Sequence, residues 1–169
     1  MKQHTHEHHA HTAEHFTTET AGLSEAVDSQ VIDLADGDTV ELRIAPVRKQ
    51  IGDAKVRMLA YNGSIPGPTL RAREGSELVV DVVNEGDLEA TVHWHGLRLD
   101  NRYDGTHETQ APITVGGRFT YRIEFPDPGV YWYHRTSART TARRWACTGT
   151  SSSSRPTRST GRRPIARCC

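Results

Sequence analysis

The chain has 169 residues, enough for one domain of ordinary size with tails and for a sizeable apolar core. Its formal net charge of zero is a cancellation. Residues 135–169 carry nine Arg and no acidic group, which leaves 12 basic and 21 acidic residues in 1–134, a net of minus nine. The cancellation says little about partners; a basic tail could suggest nucleic acid or an anionic membrane, a reading opposed below, and no apolar run approaches the length of a membrane span. The three Cys (Cys147, Cys168, Cys169) all lie in the basic tail, so residues 1–134 hold no disulfide. The opening residues lack the apolar segment of a signal peptide, and localisation stays unknown.

Residues 1–30 contain six of the ten His (His4, His6, His8, His9, His11, His15) among Thr, Glu and Ala, with few large apolar residues. Such a segment buries too little surface to offset the entropy of ordering, and it is expected to be disordered. Its His-x-His spacing suits weak copper or zinc binding, although a solvated tail without a role has the same composition.

From Val31 to His134 short strands alternate with turn residues. Residues 40–45 form a predicted strand after Asp36-Gly37-Asp38 and stop before Pro46, which has no N–H for a ladder. A second predicted strand, residues 56–61, follows Gly52-Asp53. Residues 78–83 are apolar on at least part of both faces. Phe119, Tyr121, Ile123 and Phe125 alternate with Thr120, Arg122 and Glu124, and Pro126-Asp127-Pro128-Gly129 turns the chain into a strand over 130–134. No 3.6-residue period and no internal repeat is present. The pattern predicts an all-β fold, a Greek-key β-sandwich or barrel, occupying residues 31–134.

Two strands carry chemistry. Side chains alternate along a strand, so His93 and His95 of His93-Trp94-His95-Gly96 project from one face with Trp94 on the other. A third imidazole, His134, ends Tyr131-Trp132-Tyr133-His134. Imidazole donors suit copper, zinc, iron or nickel. A lone His-x-His is a weak signal; its aromatic-flanked form, followed by the Pro-Asp-Pro-Gly turn and Tyr-Trp-Tyr-His, is far more specific. His107, in the turn-rich segment 104–109, is expected to be exposed and structural. Trp94, Tyr131, Trp132 and Tyr133 are expected to serve packing rather than electron relay.

These residues, with Tyr61-Asn62-Gly63-Ser64-Ile65-Pro66-Gly67-Pro68-Thr69-Leu70, Asp104-Gly105 and Gln110-Ala111-Pro112-Ile113, resemble the first cupredoxin (plastocyanin-like) domain of the laccase-like multicopper oxidases. The resemblance covers residues 31–134 in order. It implies a cupredoxin-like sandwich that supplies His ligands to a trinuclear copper centre. Carried over, His93 is the type 2 copper ligand, and His95 and His134 are type 3 ligands. Dioxygen and a small reducing substrate are the implied partners of an intact relative, together with further cupredoxin domains.

The likeness breaks after His134, where the family would place a second His two residues on. Residues 135–149 instead read Arg-Thr-Ser-Ala-Arg-Thr-Thr-Ala-Arg-Arg-Trp-Ala-Cys-Thr-Gly. If one base is lost just after the His134 codon, each original codon ended in the first two bases of the residue now written. The fifteen residues then permit the string PHIREDYGQEMGLYG, which restores the missing histidine, and Ser151–Ser154 become codons of an aliphatic strand. A basic tail selected for nucleic acid or lipid would have to match those codon classes by accident. On this reading residues 135–169 are an off-frame, disordered tail, and the sandwich is incomplete, without its closing strand.

The leading expectation is thus a copper-binding N-terminal domain of a multicopper oxidase. As an enzyme the chain is left uncertain and is expected to be inactive alone, because the type 1 copper site of the family, with its Cys ligand, is missing. The alternative is a non-enzymatic copper-buffering protein that uses its His-rich tail. A small electron-carrying cupredoxin is excluded by the lack of Cys before Cys147 and of Met other than Met1 and Met58. A nitrite reductase-like first domain is disfavoured because it too would need a Cys ligand.

Overall fold

The computed structural model describes residues 17–106, 108–136 and 148–154. His4 to His15, His107 and Cys147, Cys168 and Cys169 lie outside the described residues. Among the described residues nine strands run in chain order: β1 Val31–Asp33, β2 Thr39–Ile51, β3 Ala54–Tyr61, β4 Thr69–Arg73, β5 Glu77–Asn84, β6 Thr91–His95, β7 Arg118–Glu124, β8 Gly129–Thr136 and β9 Thr148–Ser154. A short 3-10 turn, Asn101–Tyr103, lies between β6 and β7. The strands form two sheets, ordered β1-β4-β9-β8-β6 and β3-β2-β5-β7. This is the expected all-β, cupredoxin-like sandwich.

The alternating residues meet between the sheets. Leu78, Val80 and Val82 of β5 and Tyr121 and Ile123 of β7 are fully buried, while Thr120, Arg122 and Glu124 face outward. Leu42 and Ile44 of β2, Leu70 of β4, Val92 and Trp94 of β6 and Tyr133 of β8 complete the core. Sheet-to-sheet cohesion is also polar. The Tyr121 hydroxyl accepts the Val92 N–H at 2.9 Å, and burial pushes its pKa up to about 12, so the phenol stays neutral there.

Three sequence expectations are corrected. First, β2 runs through Pro46 to Ile51 instead of stopping at Ala45. Pairing with β5 ends at Ile44, whose carbonyl accepts from Glu85 N, and Arg48 N donates to Ser24 O on the same side. Pro46 lies between those two bonds on the edge turned away from β3, where the ladder with β3 asks no N–H of it. Second, the sandwich begins before Val31. Ala26 N donates to Arg48 O, Val27 N to Gly63 O and Thr69 N to Gln30 O, so residues 24–30 are laid along the body by main-chain bonds that composition does not reveal.

Third, the closing strand is present. β9 lies between β4 and β8, parallel to the first and antiparallel to the second. Residues 135–169 lack the apolar residues of a core strand, but a ladder is made by main-chain N–H and C=O groups, and a Thr/Ser run supplies those as well as any other. The unpaired edge expected beside β8 is therefore filled, and the edges of this sheet are β1 and β6.

Candidate metal centre

β6 and β8 pair antiparallel with Thr91 opposite Thr136, His93 opposite His134 and His95 opposite Trp132. Trp94 and Tyr133, the intervening pair, point into the core, where their rings lie 5.3 Å apart. The period of two therefore sends His93, His95, Trp132 and His134 to the opposite, outer face. Burial of Trp94, 1% exposed, fixes which face the histidines take, since a one-residue slip would expose the indole.

All three imidazoles come together. The ring centroids are 5.6 Å apart for His93 and His95, 5.3 Å for His93 and His134, and 6.2 Å for His95 and His134. One ring nitrogen from each lies within 4.8 Å of the others, and this is the only such group of three potential metal ligands among the described residues. Metal–imidazole bonds run to about 2.0–2.1 Å, so nitrogens at this spacing suit one shared ion or neighbouring ions of a cluster.

His93 is only partly exposed, and its Nδ1 lies 2.7 Å from the Asp104 carbonyl oxygen, with the Asp104 carboxylate at 3.5 Å. That contact makes Nδ1 the protonated nitrogen and leaves Nε2 for a metal. His134 Nδ1 has a longer contact, 3.3 Å, with the Arg135 carbonyl. Burial pushes the His134 pKa below the ordinary imidazole value, and the neighbouring His93 and His95 push it the same way against the opposing effect of that carbonyl. The neutral form, the one that binds metal, is thus favoured at this ring.

Trp132 was expected among the packing residues. It is 42% exposed and lies across two of the three imidazoles, 4.6 Å from His95 and 4.5 Å from His134, while Trp94 and Tyr133 do pack in the core. Its two-residue spacing from His134 carried that signal. The positioning part of Asp104 was not read from the sequence, because it acts through its main chain. The acidic cavity lined by Asp36, Glu77 and Glu124 lies beside β5 and β7 and contains none of these histidines.

The structure is thus a cupredoxin-like sandwich with a triad of imidazoles, a candidate metal site, on one outer sheet face. The sequence profile of the multicopper oxidase family matches residues 43–150, past His134 and into β9, and the chain belongs to that family. It is 43% identical over 117 residues to the multicopper oxidase MmcO of Mycobacterium tuberculosis, a stretch that covers 68% of this chain and 23% of that protein. It is 33% identical over 113 residues to copper resistance protein A of Pseudomonas syringae pv. tomato, covering 66% and 19%. Among solved structures, Lac15 from a marine microbial metagenome superposes with a TM-score of 0.63 at 37% identity, over 72% of this chain and 33% of that one. The blue copper oxidase of Nitrosomonas europaea gives 0.66 at 27% identity, over 73% and 40%. The chain therefore spans only about a quarter of the length of MmcO.

The residues fit the copper that this family implies. They offer borderline nitrogen donors, one ring with its Nδ1 already hydrogen-bonded and its Nε2 left over, and one held towards neutrality. Among the described residues no helix is long and apolar enough to cross a membrane.

Proposed function

We propose that this chain is the N-terminal copper-binding portion of a multicopper oxidase, with His93 as the type 2 ligand and His95 and His134 as type 3 ligands. The observation that carries this is the convergence of the three imidazoles on one face within 4.8 Å. Bound copper in such a centre supplies a station for electrons on their way to dioxygen, which the parent enzyme reduces to water while oxidising phenolic or metal-ion donors. This chain's own residues position the ligands. Trp94 anchors the strand between His93 and His95, the Asp104 carbonyl orients His93, and Trp132 lies against the other two rings.

Turnover by this chain alone is not expected. Residues 1–134 hold no Cys for a type 1 site, and position 136, where the family pattern would set another His, is Thr. We read residues 135–169 as an off-frame continuation of the family sequence. The restored codon string supports this, as does the position of β9, which falls where the same codon shift gives aliphatic residues. Sequencing the gene across the His134 codon tests it: an intact family reading frame there means that residues 135–169 are read off-frame, and a locus in which no one-base shift restores the family string would reject it.

The functional test is copper analysis of the full chain beside His93→Ala, His95→Ala and His134→Ala, with phenol oxidation assayed in parallel. Copper lost in each variant, with no oxidase turnover in any, is the expected result. Copper that persists in the triple variant and disappears with residues 1–16 would replace the proposal with buffering by the His-rich segment.

A further inference from the structure

The loop that orients His93 is itself held in place, by residues outside the three histidines. Gly105 has φ 75°, and a Cβ there would sit 1.9 Å from the Val92 carbonyl oxygen, so the 104–105 turn is pressed against the β6 backbone as only glycine allows. The Gly105 carbonyl oxygen lies within hydrogen-bond distance of two hydroxyls, Thr91 Oγ1 on β6 and Thr136 Oγ1 on β8, the latter at 3.0 Å. The two hydroxyls also lie against each other, in the cross-strand pair next to His93 and His134. With one hydrogen apiece, one hydroxyl donates to Gly105 and the other donates either to Gly105 or to the first hydroxyl. Thr91 is fully buried. The result is a short chain of contacts: two strands, two hydroxyls, one carbonyl, one turn, and the neighbouring carbonyl on His93 Nδ1.

We propose that the Asp104-Gly105 turn, pinned across β6 and β8 by the Thr91 and Thr136 hydroxyls, is a tautomer lock that keeps His93 protonated at Nδ1 and presents Nε2 to the metal. Thr91, Gly105 and Thr136 are positioning residues, acting through Asp104. The inference rests on the reading of His93 as a metal ligand. The main-chain carbonyl holds the ring, and the carboxylate at 3.5 Å is the more distant oxygen. A turn free to move by an ångström would lose that bond, and a solvated imidazole takes the Nε2–H form as well, which blocks the ligating nitrogen. The lock is a property of the chain as it stands, with Thr at position 136 making a hydrogen bond in the place where the family pattern sets a ligand.

The test uses the full chain without metal, labelled with nitrogen-15, at mildly alkaline pH where imidazoles are neutral. Two-bond proton–nitrogen correlations report which nitrogen of His93 bears the proton. The parent is expected to show Nδ1–H. Thr91→Val with Thr136→Val, which keeps side-chain shape and removes both hydroxyls, is expected to populate Nε2–H substantially and to weaken zinc binding by about 10–100-fold, the usual effect of losing a ligand's orienting partner. Thr91→Ser with Thr136→Ser should restore both, and Asp104→Asn should leave the tautomer unchanged. A parent His93 with a bare Nδ1 overturns the lock whatever the variants do. So does a valine pair that folds with the parent's tautomer and zinc affinity. Should the valine pair not fold, Thr136→Val alone carries the same comparison. A locked tautomer in a protein that binds no zinc through His93 would leave the lock standing and remove the metal-ligand reading on which its purpose depends.

Discussion

Trp94 sits between His93 and His95 and is 1% exposed, with its ring 5.3 Å from Tyr133 and 5.7 Å from Tyr121. A tryptophan buries up to about 250 Å², worth up to roughly 6 kcal/mol of transfer free energy at about 25 cal/mol per Å². Truncation to alanine in a packed core costs about 3–5 kcal/mol. Against a typical domain stability of about 5–15 kcal/mol that is about a fifth of the total or more. The indole Nε1–H, however, has no hydrogen-bond partner among the described residues. An unsatisfied buried donor is itself unfavourable by about 1–3 kcal/mol, so Trp94→Phe, which removes it together with some volume, should lose less than about 2 kcal/mol. Urea melts of the full chain followed by far-ultraviolet circular dichroism measure both changes, and copper analysis of the same samples reports the histidine face. Trp94→Ala should shift the melt strongly and lose copper; Trp94→Phe should keep most of both. An alanine variant within about 1 kcal/mol of the parent, the ordinary effect of an unremarkable site, would refute the anchor argument. A phenylalanine variant as damaged as the alanine one would refute the argument about the donor.

Tyr133→Phe removes a buried hydroxyl that donates to the Pro68 carbonyl at 2.7 Å, and should lower stability by about 1–3 kcal/mol, seen as a thermal midpoint lower by several degrees. Thr136→His adds an imidazole on the face of His134, opposite Thr91, but removes the Thr136 hydroxyl from Gly105; measured against Thr136→Val, which lacks the same hydroxyl, calorimetry should show copper binding tightened by roughly tenfold or more, and equal binding would remove position 136 from the ligand row. His134 gives a pH signature. Its folded pKa lies below the ordinary 6.5, so the unfolded chain takes up the proton first as pH falls. The metal-free protein should therefore lose stability on acidification from just above that value down to the folded pKa, and gain nothing further above it. Urea midpoints across that window should slope less in His134→Gln, and equal slopes would contradict the burial argument.

How much of this was legible in the sequence differs by element. The period-two alternation at residues 78–82 and 119–125 and the turn residues between strands were enough for an all-β sandwich, because side-chain direction along a strand is a local property. The same rule put His93 and His95 on one face. Local pattern was silent wherever main-chain pairing alone decides. Pro46 passes through β2 because the neighbouring strand has already ended, residues 24–30 lie along the body by backbone bonds, and a Thr/Ser run closes the sheet that composition had left open.

By itself the sequence determined the donor set, three imidazoles carried on strands whose intervening aromatics belong in a core, because residue chemistry and alternation are written in the chain. Only the tertiary structure decided that β6 and β8 are neighbours, with residue 93 opposite residue 134, that Trp132 lies over the rings of His95 and His134, and that a glycine turn carries a carbonyl to His93. Those are contacts between residues far apart in sequence, set by strand register and loop packing. No local period encodes them.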